Sequence, residues 1–172
     1  MAEHVVTAHW GHGGMPRVVA CHPVQFESLV DLVLRDPGHT GTAARGHHHG
    51  CFYVAHEPVM SGGGLPVRRW VEVGHFARFG GVLFIDETVP AGQDWAWLAL
   101  RPKPLAGVPV VYFDQDSETA FPPRCIMPVD ELSVLVLEWL RTGERPGAGH
   151  WIPVNDFRWK LDGAGDVVGL DD

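Results

Sequence analysis

A chain of 172 residues with 45% hydrophobic and 20% charged residues can bury a core without staples, and its balance argues against wholesale disorder. The formal net charge of −8, from 13 Lys and Arg against 21 Asp and Glu, argues against direct nucleic-acid binding, which needs clustered cations. Cys21, Cys51 and Cys125 are odd in number and form no CxxC pair, which predicts free thiols in a reducing compartment.

The start, "MAEHVVTAHWGHGG", lacks the basic head and apolar core of a signal peptide. No apolar run approaches the roughly 20 residues of a membrane span, so the cytoplasm is the expected location. Within that start, "HVVTAHW" reads as a strand closed by "GHGGMP", and "RVVAC" as a short second strand. In "PVQFESLVDLVLRDPG", Phe26, Leu29, Val30 and Val33 fall on one helical face, and Pro37-Gly38 ends the helix, expected over about 23–35.

Next stands "RGHHHGCFYVAHE", rich in residue types that hold transition metals. Its spacing does not suit a metal. Adjacent histidines point in different directions, only His47 and His49 can share a face, and His56 and Glu57 lie at the far end of the following strand. The segment is expected to be a polar loop leading into a strand "CFYVAHE", with no functional metal. Two further strands, "PVRRWVEVGHF" and "GGVLFIDE", complete an antiparallel meander whose tight turns are expected at "SGGG" and "RFGG". "DWAWLALR" and "PVVYFD" add strand candidates. Trp95 and Trp97 share a parity and so belong to one face.

The sharpest element is "MPVDELSVLVLEWLRTGERP". Leu132, Leu135, Val136, Trp139 and Leu140 repeat at helical spacing. Pro128, Asp130 and Glu131 suit the N-terminal end, and Gly143 suits the C′ position, giving a deeply buried helix over about 128–141. "HWIPV" and "FRWKL" read as short strands. The expected architecture is α+β, a mostly antiparallel sheet packed by two principal helices. One domain is expected over 1–163, with a flexible acidic tail at 164–172.

Catalytic constellations are incomplete. A cupin-like metal site would need His47, His49, Glu57 and His150, but Glu57 sits too far from His49 and a buried helix separates the two halves. "AHEP" has Glu57 adjacent to His56, and Cys125 stands alone in "PPRCIMP", so neither half of a deaminase zinc motif is present. There is no Gly-x-Ser-x-Gly elbow. Asp114, Asp116 and Glu118 alternate in "FDQDSETAF" and would share one face of an extended segment, as a solvated hairpin or a docking surface.

The run "FPPRCIMPVDELSVLVLEWLRTGERPGAGHW" resembles the actinobacterial immunity proteins of polymorphic toxin systems, in the group often encoded beside nucleic-acid deaminase toxins. The shared features are Phe121-Pro122-Pro123, Met127-Pro128, Asp130-Glu131, Thr142-Gly143-Glu144-Arg145-Pro146 and Trp151. "VVYFD" is similar to the strand that leads into this block. The resemblance implies a protein that is not an enzyme, carries no cofactor and binds a cognate toxin, with neither nucleic acid nor membrane as direct partner. Partner contact is expected first at Asp114, Asp116 and Glu118, then at Trp95 and Trp97, as positions chosen from charge and aromatic character. The competing expectation is the small metal-dependent cupin-like enzyme.

Overall fold

The computed structural model describes residues 5–10, 17–35, 47–55, 68–114, 119–156, 158–161 and 167–171. Alternating apolar residues make β1 (Val5–Trp10), β2 (Arg17–Cys21), β3 (His47–Ala55), β4 (Arg69–Phe76), β5 (Phe79–Asp86) and β6 (Ala96–Leu100). After β6 come β7 (Tyr112–Asp114), β8 (Thr119–Ala120), β9 (Met127–Pro128), β10 (His150–Pro153), β11 (Arg158–Leu161) and β12 (Val167–Asp171). The helices are α1 (Phe26–Arg35), entered through a single 3-10 turn at Pro23–Gln25, and α2 (Val129–Thr142). This is the expected α+β architecture: an eight-stranded antiparallel sheet in the order β10-β6-β5-β4-β3-β1-β2, with β9 pairing to β5. β7–β8 and β11–β12 form two small separate ladders. Within 164–172, expected as a flexible tail, Val167–Asp171 pair with β11.

Both helices cover the same face of the sheet. Val6 and Ala8, Phe52, Val71 and Val73, Val82 and Phe84, and Ala99 meet Phe26, Val30, Leu132, Val136 and Trp139 there. The helices run antiparallel, because Arg35 at the end of α1 reaches Asp130 at the start of α2 (2.8 Å) while Arg141 reaches back to Glu27 (2.8 Å). These exposed pairs add little stability, but each places charge correctly against a helix end. α2 follows the length of β5. Its first turn is held where Val129 N–H donates to Arg78 C=O (2.9 Å), and Gly143, at φ +70°, ends it with N–H donating to Trp139 C=O (2.7 Å).

The opposite face is covered by the chain itself. Val111, Phe121, Cys125 and Ile126 pack on Leu83, Ile85, Ala96 and Leu98. Gly74 and Gly81 are paired across β4 and β5 and provide the seat. A Cβ on Gly74 would lie 1.9 Å from the Tyr112 carbonyl oxygen, and one on Gly81 would lie 2.6 Å from the Phe121 ring.

Three expectations are corrected. The histidine stretch is not a loop: His47, His48 and His49 are strand residues of β3, paired with Phe76, His75 and Gly74. The β4–β5 turn is not "RFGG" but the two residues Ala77-Arg78, with Ala77 at φ +53° in the first central position, as a type II′ turn requires. Gly80 and Gly81 instead lie inside β5, where a Cβ would strike Leu132 or Phe121. Helix α2 is not buried all round, because Val134 is 57% exposed.

Candidate partner-binding surface

At the end of the sheet beside the C-terminus of α2, Arg69, Asp86, Thr88 and Glu144 form a polar network. The cross-strand row Val71–Phe84–Trp97–Pro153 is the last that the helix side covers. One row further on stand Arg69, Asp86 and Trp95, with Asp86 N–H donating to Trp95 C=O (2.7 Å) in continuation of the ladder. Trp97 is half-buried, with Phe84 at 5.8 Å between centroids and the Arg145 guanidinium 4.4 Å above its ring. Trp95, the residue before β6, is 48% exposed.

The segment "LRTGERP" builds this end. Gly143 turns the chain, and Thr142 Oγ1 accepts from Glu144 N–H (3.1 Å). That places Arg145 over Trp97, and the carbonyl of buried Pro146 accepts from Trp151 Nε1 (2.8 Å). Gly147 N–H donates to Glu138 Oε1 (2.8 Å), so the segment is fastened to both α2 and β10. Sequence reasoning read this segment as a helix cap. Its aromatic partner was not visible, since Trp97 is remote in the chain.

Below it, Arg69 Nε pairs with Asp86 (2.9 Å), and its other guanidinium nitrogens reach Thr88 Oγ1 (3.1 Å) and Glu144 (3.6 Å). Burial pushes the Asp86 carboxyl up, but hydrogen bonds from Thr88 and the Arg69 guanidinium outweigh it and hold it below the usual carboxylate range. A group depressed in the folded state stabilises the fold above its unfolded pKa, near 3.9, and that contribution fades as pH falls through the lower folded value. Asp86→Asn is therefore expected to cost about 1–2 kcal/mol at neutral pH. In urea unfolding, the gap from the unmodified protein should close well below pH 4; equal stabilities at neutral pH would remove this network from the account.

The loop from β5 to β6 is ordered by a turn in which Gln93 N–H donates to Pro90 C=O (3.1 Å), with Gly92 at φ +88° as a type II turn needs. It carries Glu87 and Asp94, and Asn155 Nδ2 donates to Asp94 (3.4 Å).

The other expected contact residues lie elsewhere. Asp114 is the last residue of β7, which sits on the Gly74 seat, while Asp116 and Glu118 fall outside the described residues. The structure does not bring Asp114 into one row with Trp95 and Trp97. β12 packs beside β8, so the chain's end returns to the neighbourhood of the acidic segment.

Catalytic readings find little support. His47 and His49 lie on β3 and His150 on β10, four strand spacings or roughly 19 Å apart, so they do not meet; Glu57 falls outside the described residues. No group of three His, Cys, Asp or Glu among the described residues is placed to hold a metal. On the sheet face away from the helices, Cys51 stands between His9 and Glu72. Burial, with the Glu72 charge adding to it, pushes the Cys51 thiol up to about 12, which keeps it protonated and a poor nucleophile at neutral pH. Burial likewise raises the neighbouring Tyr53 phenol. A groove of about 360 Å³ runs between α2 and β10, lined by Leu100, Met127, Val134, Leu135 and His150, with the Arg101–Glu131 ion pair at its rim. No described helix is long and apolar enough to cross a membrane.

An exposed tryptophan, partly paired carboxylates and an apolar groove are features through which proteins bind proteins. The family comparison agrees: the model of the immunity-protein family Imm1 matches residues 14–153, and the chain belongs to that family. Its general role is that of an immunity protein, which neutralises a toxin. Comparison with curated proteins gave no match. Comparison with solved structures likewise gave none.

Proposed function

We propose that the protein neutralises a nucleic-acid deaminase toxin in the cytoplasm of the producing cell, by docking over the toxin's active site or substrate cleft. Membership of the Imm1 family carries the reading. The deaminase target rests on the likeness of the "FPPRCIMP…TGERP" block to immunity proteins encoded beside such toxins. Charge supports it, because a cleft that holds nucleic acid presents cations to phosphates. Four of the five acids of the helices are spent on internal ion pairs: Glu27 with Arg141, Asp31 and Asp130 with Arg35, Glu131 with Arg101. Residues 113–118 contain three acids and no cation, and 156–172 contain five acids against two cations, so the negative excess is concentrated in these segments.

Asp114, Asp116 and Glu118 would steer association, while Trp95 and Trp97 would contribute aromatic contact. Co-expression with the toxin encoded alongside is expected to rescue growth. Replacing the three acids by their amides should slow association about tenfold or more at low salt, with a smaller effect at high salt. A protein that fails to protect against that toxin sinks the proposal.

A further inference from the structure

We infer that Arg145 is the residue by which the protein grips a carboxylate of its toxin, as a guanidinium seated on Trp97 with its N–H edge left open to the partner. The existence of a toxin surface rests on the reading above. The chemistry rests on how Arg145 is held.

The guanidinium is fixed on one side and unspent on the other. Its carbon lies 4.4 Å over the Trp97 ring, and that half-buried ring is itself braced by Phe84 at 5.8 Å. Stacking uses the face of a guanidinium and leaves its in-plane N–H groups to donate. Among the described residues the exposed Arg145 has no hydrogen bond or ion pair, in a chain of net charge −8. Arg35, Arg69, Arg101 and Arg141 each face a carboxylate instead. The adjoining Glu144 turns to Arg69 (3.6 Å), and Asp86 is held by Arg69 and Thr88. Arg78 also lacks an acceptor, but its ring contact, with Phe79, is longer at 5.3 Å.

The backbone that presents Arg145 is tied on both sides. Thr142 Oγ1 accepts from Glu144 N–H (3.1 Å), Trp151 Nε1 donates to Pro146 C=O (2.8 Å), and Gly147 N–H donates to Glu138 (2.8 Å). A side chain held this way gives up little conformational entropy on binding, which is the main cost of recruiting an arginine. Charge selects the group it takes. A toxin surface that complements this acidic protein is basic, and most of it would repel Arg145. A carboxylate within that surface accepts from the guanidinium edge and fixes the docking register, since a displaced complex sets cation against cation. A nucleic-acid phosphate is the poorer match, because a net charge of −8 repels a polyanion.

The test measures binding of the full chain to the toxin encoded alongside, for Arg145→Met and Arg145→Lys. Methionine keeps an apolar stem against Trp97 and removes every donor; lysine keeps the charge but loses the planar fork. The methionine variant is expected to bind about thirtyfold or more weakly and the lysine variant about fivefold or more, with urea midpoints unchanged. Toxin carboxylates are then replaced one at a time by amides. One of them should cost about as much as Arg145→Met alone and add little to it in combination. Methionine-variant binding within about threefold of the unmodified protein, or no coupled carboxylate on the toxin, overturns the inference. So does a loss of binding matched by a fallen urea midpoint, or capture of a labelled oligonucleotide that Arg145→Met abolishes. A toxin that is bound through Arg145 but is not a deaminase counts against the proposed function alone, whereas a toxin that is not bound at all sinks both.

Discussion

Gly74→Val is expected to be among the most damaging single substitutions in the protein, lowering unfolding stability by about 3 kcal/mol or more in urea titrations. Valine favours strands in general, and Gly74 lies in the middle of β4, so propensity alone predicts a gain. Sterics reverse the sign. The first added carbon would stand 1.9 Å from the Tyr112 carbonyl oxygen, and the second-nearest atom, on the Phe121 ring, is at 3.0 Å. The obstacle is backbone on one side and a buried ring on the other, so no rotamer change relieves it. Either the sheet bends or the chain carrying Tyr112 lifts off. Gly74→Ala separates the outcomes, since it adds the clash without extra bulk. If alanine leaves stability within about 0.5 kcal/mol, a close backbone seat is not what this glycine provides.

Trp139→Ala should cost about 3–5 kcal/mol, by emptying the largest fully buried side chain in the helix-covered core. The ring stands edge-on to Phe84 at 6.4 Å, and Phe84 also meets Trp97 and Trp151, so one deletion loosens three strands at once. Its indole N–H has no hydrogen-bond partner among the described residues, which is unusual for a buried tryptophan. Trp139→Phe is informative for that reason. It loses part of the packing but also removes an unsatisfied donor, so the two terms oppose each other and the net cost should stay below about 1.5 kcal/mol. A phenylalanine variant as damaged as the alanine one would mean that the indole N–H is satisfied in solution.

Periodicity made the two helices and most strands legible, because each buries one face and the repeat of apolar residues records it. Glycine misled twice. Gly80 and Gly81 read as a turn, yet they are strand residues kept bare for Leu132 and Phe121, while the real turn falls on Ala77, a residue with no turn signal. Only the tertiary neighbour distinguishes a glycine that bends from a glycine that makes room. The histidines at 47–49 hid a strand because their pairing with β4 is made by backbone, to which side-chain polarity is blind. Trp95 and Trp97 were singled out together, but their difference in setting depends on where α2 stops and where Arg145 lands. Asp86 and Arg69 were missed altogether; a lone Arg and Asp in facing strands are too common to signal a network.

Side chains pack on both faces of the sheet, but the far face adds one contact of another kind, and that spot will tolerate change differently. On the helix side, side chain meets side chain, and a swap of one apolar residue for another of similar volume can be absorbed by neighbouring rotamers. On the far side, at Gly74, main chain meets main chain, and nothing there can repack. Variation within one fold should therefore accumulate beneath the helices, while the path that carries the chain from Tyr112 towards Asp114 stays where the glycine holds it. The molecule is plastic where side chain meets side chain and brittle at this one seat, and the seat lies just before the acidic residues 114–118 of the sequence.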